Sequence, residues 1–454
     1  MKILQITVIG CGYVGLTTSV ALAYIGHRVH CIDQNQERVQ ALQNGIVPMH
    51  EMGVAELLGQ LRDRISFGRW DSFNLTTEVI IIAVGTPRKD NGEADTSYVE
   101  AVARELGQRL SGDGLPIIVN KSTVPIGSAR RVESVVSYYL KSRGINIPVT
   151  VASNPEFLRE GVALYDTFYP DRIVVGANQG EAINILREMY APILEQTFIP
   201  PEFLPRPDSY NLPAFITTTP TSAELIKYAA NTFLAMKISY INEIAGLAER
   251  VGADILEVAR GIGLDKRIGV QYLNAGIGWG GSCFGKDVQA LIHTAGQYDY
   301  DMPLSSATIQ VNLRQREEII RKLQSALKVL RGSTVGLLGL SFKPGTDDLR
   351  DAPSITVAKR LIEMGAHVKA YDPVAMENCR KSHPELDMLY ANSAEELAHG
   401  SDALVLVTEW KEFLSLPYNQ LGKLMRQKVI VDGRNVLDRQ LLTEAGFNYI
   451  GVGR

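Results

Sequence analysis

The sequence alternates short apolar runs, each followed by a polar loop, with stretches of helical spacing. This alternation predicts buried parallel strands joined by helices, as in a doubly wound sheet. The pattern occupies the first part of the chain, gives way to long helical runs, and returns at Ser333. We therefore expect an α/β fold with two Rossmann-like, doubly wound parallel-sheet domains joined by a helical middle domain. The expected boundaries are 1–200, 216–330 and 331–454.

Length and composition limit the kind of protein this can be. The chain has 454 residues, more than one hydrophobic core usually organises. A formal net charge of −4 gives no general attraction to nucleic acid or anionic membranes. No apolar run approaches the roughly 18 residues of a membrane span, and the start, Met1–Val8, predicts no signal peptide. The cysteines are far apart, which predicts no metal site and suits a cytoplasmic protein: Cys11, Cys31, Cys283 and Cys379.

The middle of the chain begins with an irregular segment. Residues from Thr197 to Thr219 are rich in proline, threonine and phenylalanine, and they predict a loop without regular structure. The pattern Thr221-x-x-Glu224 is typical of a capping box at the start of a helix. A long helical run follows and ends at Gly252. We expect this apolar helical region to link the two sheet domains and to dimerise.

A glycine-rich loop, Gly10-Cys11-Gly12-Tyr13-Val14-Gly15, closes the first predicted strand and opens a helix. There, the glycines allow a tight turn, a close approach of the backbone to a pyrophosphate, and helix–sheet packing. Asp33 ends the second strand, where it would bind an adenosine ribose and repel a 2′-phosphate. The sequence therefore predicts NAD as cofactor, against the alternative of a purely structural turn. Two more candidates are Arg38, either a solvated charge or a phosphate contact, and Thr86, either a cofactor contact or part of a simple turn.

The most informative segment runs from Gly276 to Asp287 and places Cys283 just before a helical run. A thiol at a helix N-terminus beside Lys286 is expected to have a lowered pKa and to act as a nucleophile. Four glycines before it indicate a backbone that approaches another group closely. The alternative, a buried cysteine acting as a small apolar side chain, fits this polar surrounding poorly. Asp287 lies one helical turn after Cys283 and could orient the thiol or a water molecule.

Further polar candidates occur on the long helix and after predicted strands. Lys227 and Asn231 are four residues apart, so both project from one helix face and could hold a developing oxyanion. Thr123, Glu156 and Glu160 follow predicted strands, at the edge where a doubly wound sheet binds its ligands. Each of these three could equally cap a helix.

The C-terminal sheet domain carries an incomplete glycine fingerprint, GLLG, which suggests a ligand other than a dinucleotide. Lys343 and Arg434 could bind a phosphate, a uridine or sugar hydroxyls. For Arg350 we prefer a salt bridge with Asp347 or Asp348. There is also a weak internal sequence similarity, since residues 25–33 and 364–372 both end a predicted strand with an aspartate. Either a duplication or the shared fold alone could explain it.

These motifs together resemble the UDP-glucose/GDP-mannose dehydrogenase family nearly from end to end. The resemblance implies an NAD-dependent enzyme that oxidises the C6 hydroxyl of UDP-glucose to UDP-glucuronate in two steps, and a homodimer. It also implies a C-terminal domain that binds UDP. The motifs occur here in the family's order: GCGYVG, VGTP, KSTVP, NPEFLREG, SAELIKYAANTFLA, RIG, GGSCFGKD and DGRN.

The resemblance also implies roles for individual residues. Cys283 would form a thiohemiacetal and then a thioester, while Lys227 and Asn231 steady the oxyanion. Glu156, Thr123 and Asp287 would activate and position water. Cofactor contacts would come from the glycine loop with Tyr13 and Val14, and from Asp33, Arg38, Thr86, Thr123, Glu160 and Lys286. Substrate contacts would come from Glu156, Phe157, Leu158, Lys227, Asn231, Gly280, Lys343 and Arg434, with Arg267 reaching the neighbouring subunit's substrate.

Alternatives remain open at this level. The shared motifs do not distinguish UDP-glucose from GDP-mannose or UDP-N-acetylmannosamine. A single-step β-hydroxyacid dehydrogenase would share the first domain and the Lys/Asn pair, but it needs neither Cys283 nor a second sheet domain. Two departures from the family pattern are a longer stretch at Thr197–Phe215, whose role is open, and Gly285 where proline is common.

Overall fold

The computed structural model describes residues 2–73, 76–112 and 114–454. They form two compact units, Met1–Ala229 and Ala230–Arg454. The strands of the first unit are β1 (Gln5–Ile9), β2 (Arg28–Ile32), β3 (Ile65–Gly68), β4 (Val79–Ile82), β5 (Ile117–Asn120), β6 (Val151–Ser153), β7 (Arg172–Gly176) and β8 (Ala214–Thr218).

Among the described residues these eight strands form one sheet in the order β3-β2-β1-β4-β5-β6-β7-β8. The first six follow the order of a dinucleotide-binding sheet and pair in parallel. The central strands form because short apolar runs, rich in β-branched residues, are buried on both faces. Every residue of β4 is buried, for example.

Helices cover both faces of this sheet. The helices that begin in the first unit are α1 (Tyr13–Tyr24), α2 (Gln36–Gln43), α3 (Val54–Gln60), α4 (Ser97–Arg109), α5 (Ser128–Ser142), α6 (Ala163–Phe168), α7 (Gly180–Leu194) and α8 (Pro220–Val251), with a 3-10 turn at Trp70–Ser72. Of these, α1, α6 and α7 pack on one face of the sheet, and α4 and α5 pack on the other.

The expectation of an irregular loop from Thr197 to Thr219 is wrong for the last residues of this segment. Strand β8 occupies Ala214–Thr218 and pairs in parallel with β7. The earlier part of the segment packs its apolar side chains, Phe198 and Leu204, into the core of the unit. Pairing with a neighbouring strand overrides local composition here, which is a long-range effect that the sequence does not display.

The sheet is not parallel throughout. Strands β6 and β7 pair antiparallel, through Ser153 and Gly176. As a result β7 runs alongside the segment that follows β6. Asn154 donates from its side chain to the Val174 carbonyl at 2.8 Å, which fixes this arrangement.

The second unit has a smaller sheet of the same design. Its strands are β9 (Thr334–Leu338), β10 (His367–Tyr371), β11 (Met388–Tyr390), β12 (Ala403–Leu406), β13 (Val429–Asp432) and β14 (Asn448–Ile450). In the described part of the chain their order is β11-β10-β9-β12-β13-β14, all parallel. The helices are α9 (Ile255–Gly263), α10 (Phe284–Gly296), α11 (Pro303–Leu327), α12 (Pro353–Glu363), α13 (Met376–Ser382), α14 (Ala394–Ala398), α15 (Lys411–Leu414), α16 (Tyr418–Leu424) and α17 (Arg439–Glu444).

The long helix α8 begins differently from the sequence prediction. It starts at Pro220, and the Thr219 hydroxyl accepts the N–H of Ser222 at 3.2 Å. Thr219 therefore caps the helix, and the predicted capping box of Thr221 and Glu224 is wrong. The predicted end is right, since Gly252 follows the last helical residue with a φ of +75°, a left-handed conformation that suits glycine.

The expected fold class is confirmed: two doubly wound sheets of the Rossmann type, with long helices between them in sequence. The helices within the described ranges include none long and apolar enough to cross a membrane.

Candidate active site

The loop after β1 in the first unit contains three glycines, and each position suits glycine for a different structural reason. Gly10 has a φ of +102° and makes the turn. A side chain at Gly15 would place its Cβ 1.8 Å from the Gly10 carbonyl oxygen, so only glycine allows α1 to approach the loop. At Gly12 a Cβ would meet no protein atom within 4 Å. The space beside Gly12 is therefore left for a ligand, which fits a dinucleotide pyrophosphate at the start of α1.

Asp33 lies at the end of β2, as predicted, and is buried. Its Oδ2 accepts the N–H of Cys11 at 2.8 Å and its Oδ1 accepts the N–H of Asn35 at 2.8 Å. The carboxylate thus fixes the glycine loop. Arg38 donates to the same Oδ2 at 3.0 Å, so it is not simply a solvated charge.

The second unit repeats this arrangement at Asp372, the aspartate that ends the second of the two similar segments. Gly339 has a φ of +98°, and Asp372 accepts the N–H of Leu340 at 2.7 Å. Asp372 is fully buried, however, and Trp410 donates to its Oδ2 at 3.1 Å. A ribose therefore has no access to Asp372, and this second Rossmann-like sheet lacks the adenosine-binding feature of the first.

Glu156 and Lys227 form a buried ion pair in the first unit. Lys227 Nζ lies 2.9 Å from Glu156 Oε1, and the Leu158 N–H donates to Glu156 Oε2 at 2.6 Å. Burial by itself raises the pKa of the Glu156 carboxyl, but the charge of Lys227 and the Leu158 N–H outweigh it. The pKa of Glu156 therefore lies below its usual value, and the side chain is a carboxylate at neutral pH.

The segment from Glu156 to Gly161 is held from two sides. The carboxylate of Glu51 accepts the N–H of Gly161 at 2.7 Å and that of Ala163 at 2.7 Å, and the Tyr13 hydroxyl also accepts from Gly161. Arg172, at the start of the antiparallel strand β7, stacks on the Phe157 ring at 3.8 Å. Sequence analysis missed Glu51 and Arg172, because no local pattern marks either residue as a neighbour of this segment.

Three other predicted residues of the first unit lie on loops at the carboxyl ends of its parallel strands. The Thr123 carbonyl accepts the hydroxyl of Thr86 at 2.7 Å, which joins the loops after β4 and β5. Glu160 is partly exposed, in the same segment as Glu156.

In the second unit Cys283 is the residue immediately before α10, and it is partly exposed. Its sulfur lies 3.4 Å from the Ser282 hydroxyl. One turn into the helix, buried Asp287 accepts the amide N–H of Asn231 at 2.6 Å and is 2.5 Å from Lys286 Nζ. The structure therefore brings four of the predicted residues together around the first turn of α10.

The glycines before Cys283 let the backbone pack closely against other parts of the second unit. A Cβ at Gly278 would lie 2.5 Å from the Asn312 side chain, and one at Gly280 would lie 2.3 Å from the Asp351 carbonyl oxygen. Buried Arg316 completes this packing by donating to the Trp279 carbonyl at 2.9 Å and pairing with Asp351 at 2.9 Å. Asn312 and Arg316 were not predicted, since both lie inside an ordinary helical pattern.

The predicted basic residues of the C-terminal domain have different neighbours. Arg434 is tied to the Val407 carbonyl at 2.6 Å and to Glu409 at 3.0 Å. Lys343 lies with its Nζ 5.4 Å from the Phe342 ring centre. Arg350 pairs with Asp348 at 2.6 Å, which confirms the salt bridge expected for it.

Arg267 has a highly exposed side chain, at 89%, and pairs with Asp265 at 2.6 Å. Its Nε also donates to Asp265 Oδ1 at 3.0 Å, so both ends of the guanidinium contact the same carboxylate.

The doubly wound sheet and the open space at Gly12 define a dinucleotide-binding protein of the Rossmann class. Three successive segments match the UDP-glucose/GDP-mannose dehydrogenase family: its NAD binding domain at residues 4–194, its central domain at 221–314 and its UDP binding domain at 336–439. The chain belongs to this family, which confirms the resemblance and NAD as the cofactor.

Similar proteins agree with this assignment along the whole chain. A Rhizobium meliloti UDP-glucose 6-dehydrogenase is 42% identical over 99% of this chain and 100% of its own length. The UDP-glucose 6-dehydrogenase YwqF of Bacillus subtilis is 41% identical over 99% of this chain and 98% of its own. The solved structure of a UDP-glucose dehydrogenase from Pyrobaculum islandicum is 38% identical, with a TM-score of 0.88 over 100% of this chain and 98% of that one.

Proposed function

We infer that this chain is an NAD-dependent UDP-glucose 6-dehydrogenase, which oxidises the C6 hydroxyl of UDP-glucose to the carboxylate of UDP-glucuronate. Curated UDP-glucose 6-dehydrogenases that match it over 99% of its length support this substrate. The structural observation that carries the mechanism is the placement of Cys283 directly before α10, one helical turn before buried Asp287, which Asn231 and Lys286 both contact.

We propose that NAD is held by the first unit. The backbone of the Gly10–Gly15 loop, with Tyr13 and Val14, would hold the pyrophosphate, and Asp33 the adenosine ribose. Arg38, Thr86, Thr123, Glu160 and Lys286 are the remaining proposed contacts. When bound, NAD would supply the hydride-accepting chemistry that each of the two oxidations needs.

The Cys283 thiol accounts for the order of the chemistry. The first oxidation removes a hydride and a proton from the alcohol and leaves an aldehyde. The Cys283 sulfur adds to the aldehyde carbon and forms a thiohemiacetal, and the second oxidation converts this to a thioester. Water then cleaves the carbon–sulfur bond, which releases the carboxylate and restores the thiol. The enzyme therefore keeps the aldehyde covalently attached between the two oxidations.

We propose that charged and amide groups on α8 stabilise these steps. Lys227 and Asn231 would donate to the oxyanion that forms on the substrate oxygen. Glu156 is ionised and buried, so it would take a proton from the water that attacks the thioester, with Thr123 and Asp287 helping to position this water.

The sugar and the nucleotide would be bound by residues that the sequence singled out. The proposed contacts are Glu156, Phe157, Leu158, Lys227, Asn231, Gly280, Lys343 and Arg434. Arg267 of the partner subunit is a further proposed contact, since this arginine is exposed in its own chain.

We also propose a homodimer in the cytoplasm. On α8 three large apolar side chains are exposed at seven-residue intervals: Phe233 at 56%, Tyr240 at 52% and Leu247 at 56%. Such a stripe suits packing against the same helix of a second copy. Cys11, Cys31 and Cys379 are buried and form no disulfide, which suits a reducing compartment.

A substrate panel tests the proposed function. Initial rates of NADH formation would be measured with UDP-glucose, GDP-mannose and UDP-N-acetylmannosamine at equal concentrations. UDP-glucose should give the highest kcat/KM. A higher kcat/KM for either other sugar would reassign the substrate within the same chemistry.

A further inference from the structure

Glu224 is a buried carboxylate of the first unit that the reaction above does not use. It is 3% exposed and lies on α8, three residues before Lys227. Its Oε2 accepts the N–H of Gly127 at 2.6 Å, and its Oε1 accepts the N–H of Ala129 at 2.9 Å and the hydroxyl of Ser153 at 3.0 Å. All three donors lie outside α8, so this side chain joins α8 to two other segments.

Two of these bonds cap α5. Gly127 is the residue before the first turn of α5, and glycine has no side chain with which to cap its own helix. The first N–H groups of a helix lack partners within it and attract negative charge. Glu224 supplies this cap from a distant part of the chain, which makes its position relative to α5 well defined.

The loop between β5 and α5 contains Thr123, and we call it the Thr123 loop. It ends at Gly127, four residues after Thr123, where Glu224 caps α5. At the Thr123 carbonyl it is held by the Thr86 hydroxyl at 2.7 Å. Its other end is held by Glu224, which projects from the same helix as Lys227.

We propose that Glu224 is a positioning residue, which sets the place of the Thr123 loop relative to Lys227 during catalysis. This inference rests on the proposed function, because it assumes that Thr123 takes part in the reaction. Glu224 is held by protein donors, and we assign it no contact with cofactor or substrate. Its effect on the rate should therefore pass through Thr123.

The first test is the variant Glu224→Gln, which keeps the shape of the side chain but places an NH₂ group against one of the three donors. Since small misplacements of reacting groups slow chemistry strongly, kcat with UDP-glucose should fall roughly tenfold or more. The Kd for NAD should change much less than kcat, because the Gly10–Gly15 loop that would hold the pyrophosphate is untouched and only the proposed contact from Thr123 is affected. Glu181→Gln is the matched control: it makes the same change at an exposed glutamate in the first turn of α7 and should leave both constants unchanged.

A double-mutant cycle with Thr123→Ala separates positioning from a general structural role. If Glu224 acts through Thr123, the double variant should have a kcat within about twofold of Thr123→Ala alone. If the two losses in kcat multiply, Glu224 supports the fold independently of Thr123, and the proposal is overturned. If Glu224→Gln does not fold, the same cycle is run with Glu224→Asp, which keeps the charge and shortens its reach.

The outcomes also distinguish this proposal from the proposed function. A Thr123→Ala variant with the wild-type kcat would remove the catalytic role of Thr123 and overturn the proposal for Glu224, while UDP-glucose oxidation by the wild type would stand. A wild-type protein that oxidises no UDP-glucose would instead overturn the function itself.

Discussion

Lys227 Nζ lies 2.9 Å from Glu156 Oε1, with side-chain exposures of only 4% and 6%. Each charge is expensive to bury alone, so the two residues depend on one another for stability. The pair also keeps Glu156 ionised while it is shielded from bulk water, as the proposed attack on the thioester requires.

Replacing Lys227 tests whether the stability of the fold depends on this ion pair. Lys227→Met leaves the Glu156 carboxylate buried without its cation, and the free energy of unfolding at pH 7 should fall by about 3 kcal/mol. Adding Glu156→Gln should restore most of the loss. Lys89→Met, which breaks the surface pair with Glu93, should cost less than about 1 kcal/mol. Denaturant titration of the four proteins measures these differences, and a small effect of Lys227→Met would contradict the buried pair.

The pH dependence of this loss has a defined sign. In the wild type the pKa of Glu156 is lowered, so its stabilising contribution is present above the unfolded value of about 4.3 and is lost as the pH falls through the folded value. In Lys227→Met, burial without the lysine favours the protonated acid. The stability difference between the two proteins should therefore shrink from pH 7 toward pH 4. A constant difference would show that Glu156 is not the group responsible.

Glu156→Gln should slow hydrolysis of the thioester more than hydride transfer, because the amide takes up no proton from water. The sugar-acyl adduct on Cys283 should then accumulate. Intact-mass measurement during turnover detects it directly, and Cys283→Ser in the same background provides the matched control without a thiol. Absence of an adduct would count against the role of Glu156 in hydrolysis.

The glycine loop gives a prediction that separates binding from folding. An alanine at Gly12 meets no protein atom, so Gly12→Ala should keep its Tm and lose NAD affinity by about tenfold or more. An alanine at Gly15 would lie 1.8 Å from a carbonyl oxygen, so Gly15→Ala should lower the Tm. Thermal scans and NAD titrations of both variants check this. Equal losses of Tm would mean that Gly12 is a structural glycine too.

The sequence was informative wherever a function depends on a short stretch of chain. The glycine loop with Asp33 was predicted from local patterns, as was the start of α10 with Cys283. The Lys227–Glu156 pair joins predicted residues that are 71 positions apart, but nothing in the sequence showed that they would touch. Glu224 was misassigned for the same reason: its partners at Gly127 and Ala129 are distant in sequence, and a local capping pattern gave a plausible alternative.

Strand β8 and Arg172 show the same limit. The segment that contains β8 is rich in proline and threonine, a composition that predicts a loop. The strand forms because it pairs with β7. Arg172 contacts Phe157 because β7 runs antiparallel to β6 and so lies beside the segment that follows β6. The direction of a strand depends on the whole sheet, and a local sequence pattern does not show it.

Arg267 should act on the substrate of the neighbouring subunit. Cys283→Ser and Arg267→Ala should each be inactive alone, yet activity should return when they are mixed under conditions of subunit exchange. Each heterodimer then holds one site with an intact Cys283 and an intact Arg267 of the partner subunit. A mixture that stays inactive would place Arg267 in its own subunit's site, and an active Arg267→Ala would make it a surface charge.

The central claim is that Cys283 retains the aldehyde covalently between two oxidations, and the stoichiometry of the reaction measures this most directly. Limiting UDP-glucose would be converted to completion with excess NAD, and NADH, UDP-glucuronate and free aldehyde would be quantified together. The mechanism predicts two NADH and one carboxylate per sugar with no free aldehyde, and no acid from Cys283→Ser although that variant still binds NAD. One NADH per sugar with release of an aldehyde, or normal acid formation by Cys283→Ser, would contradict it.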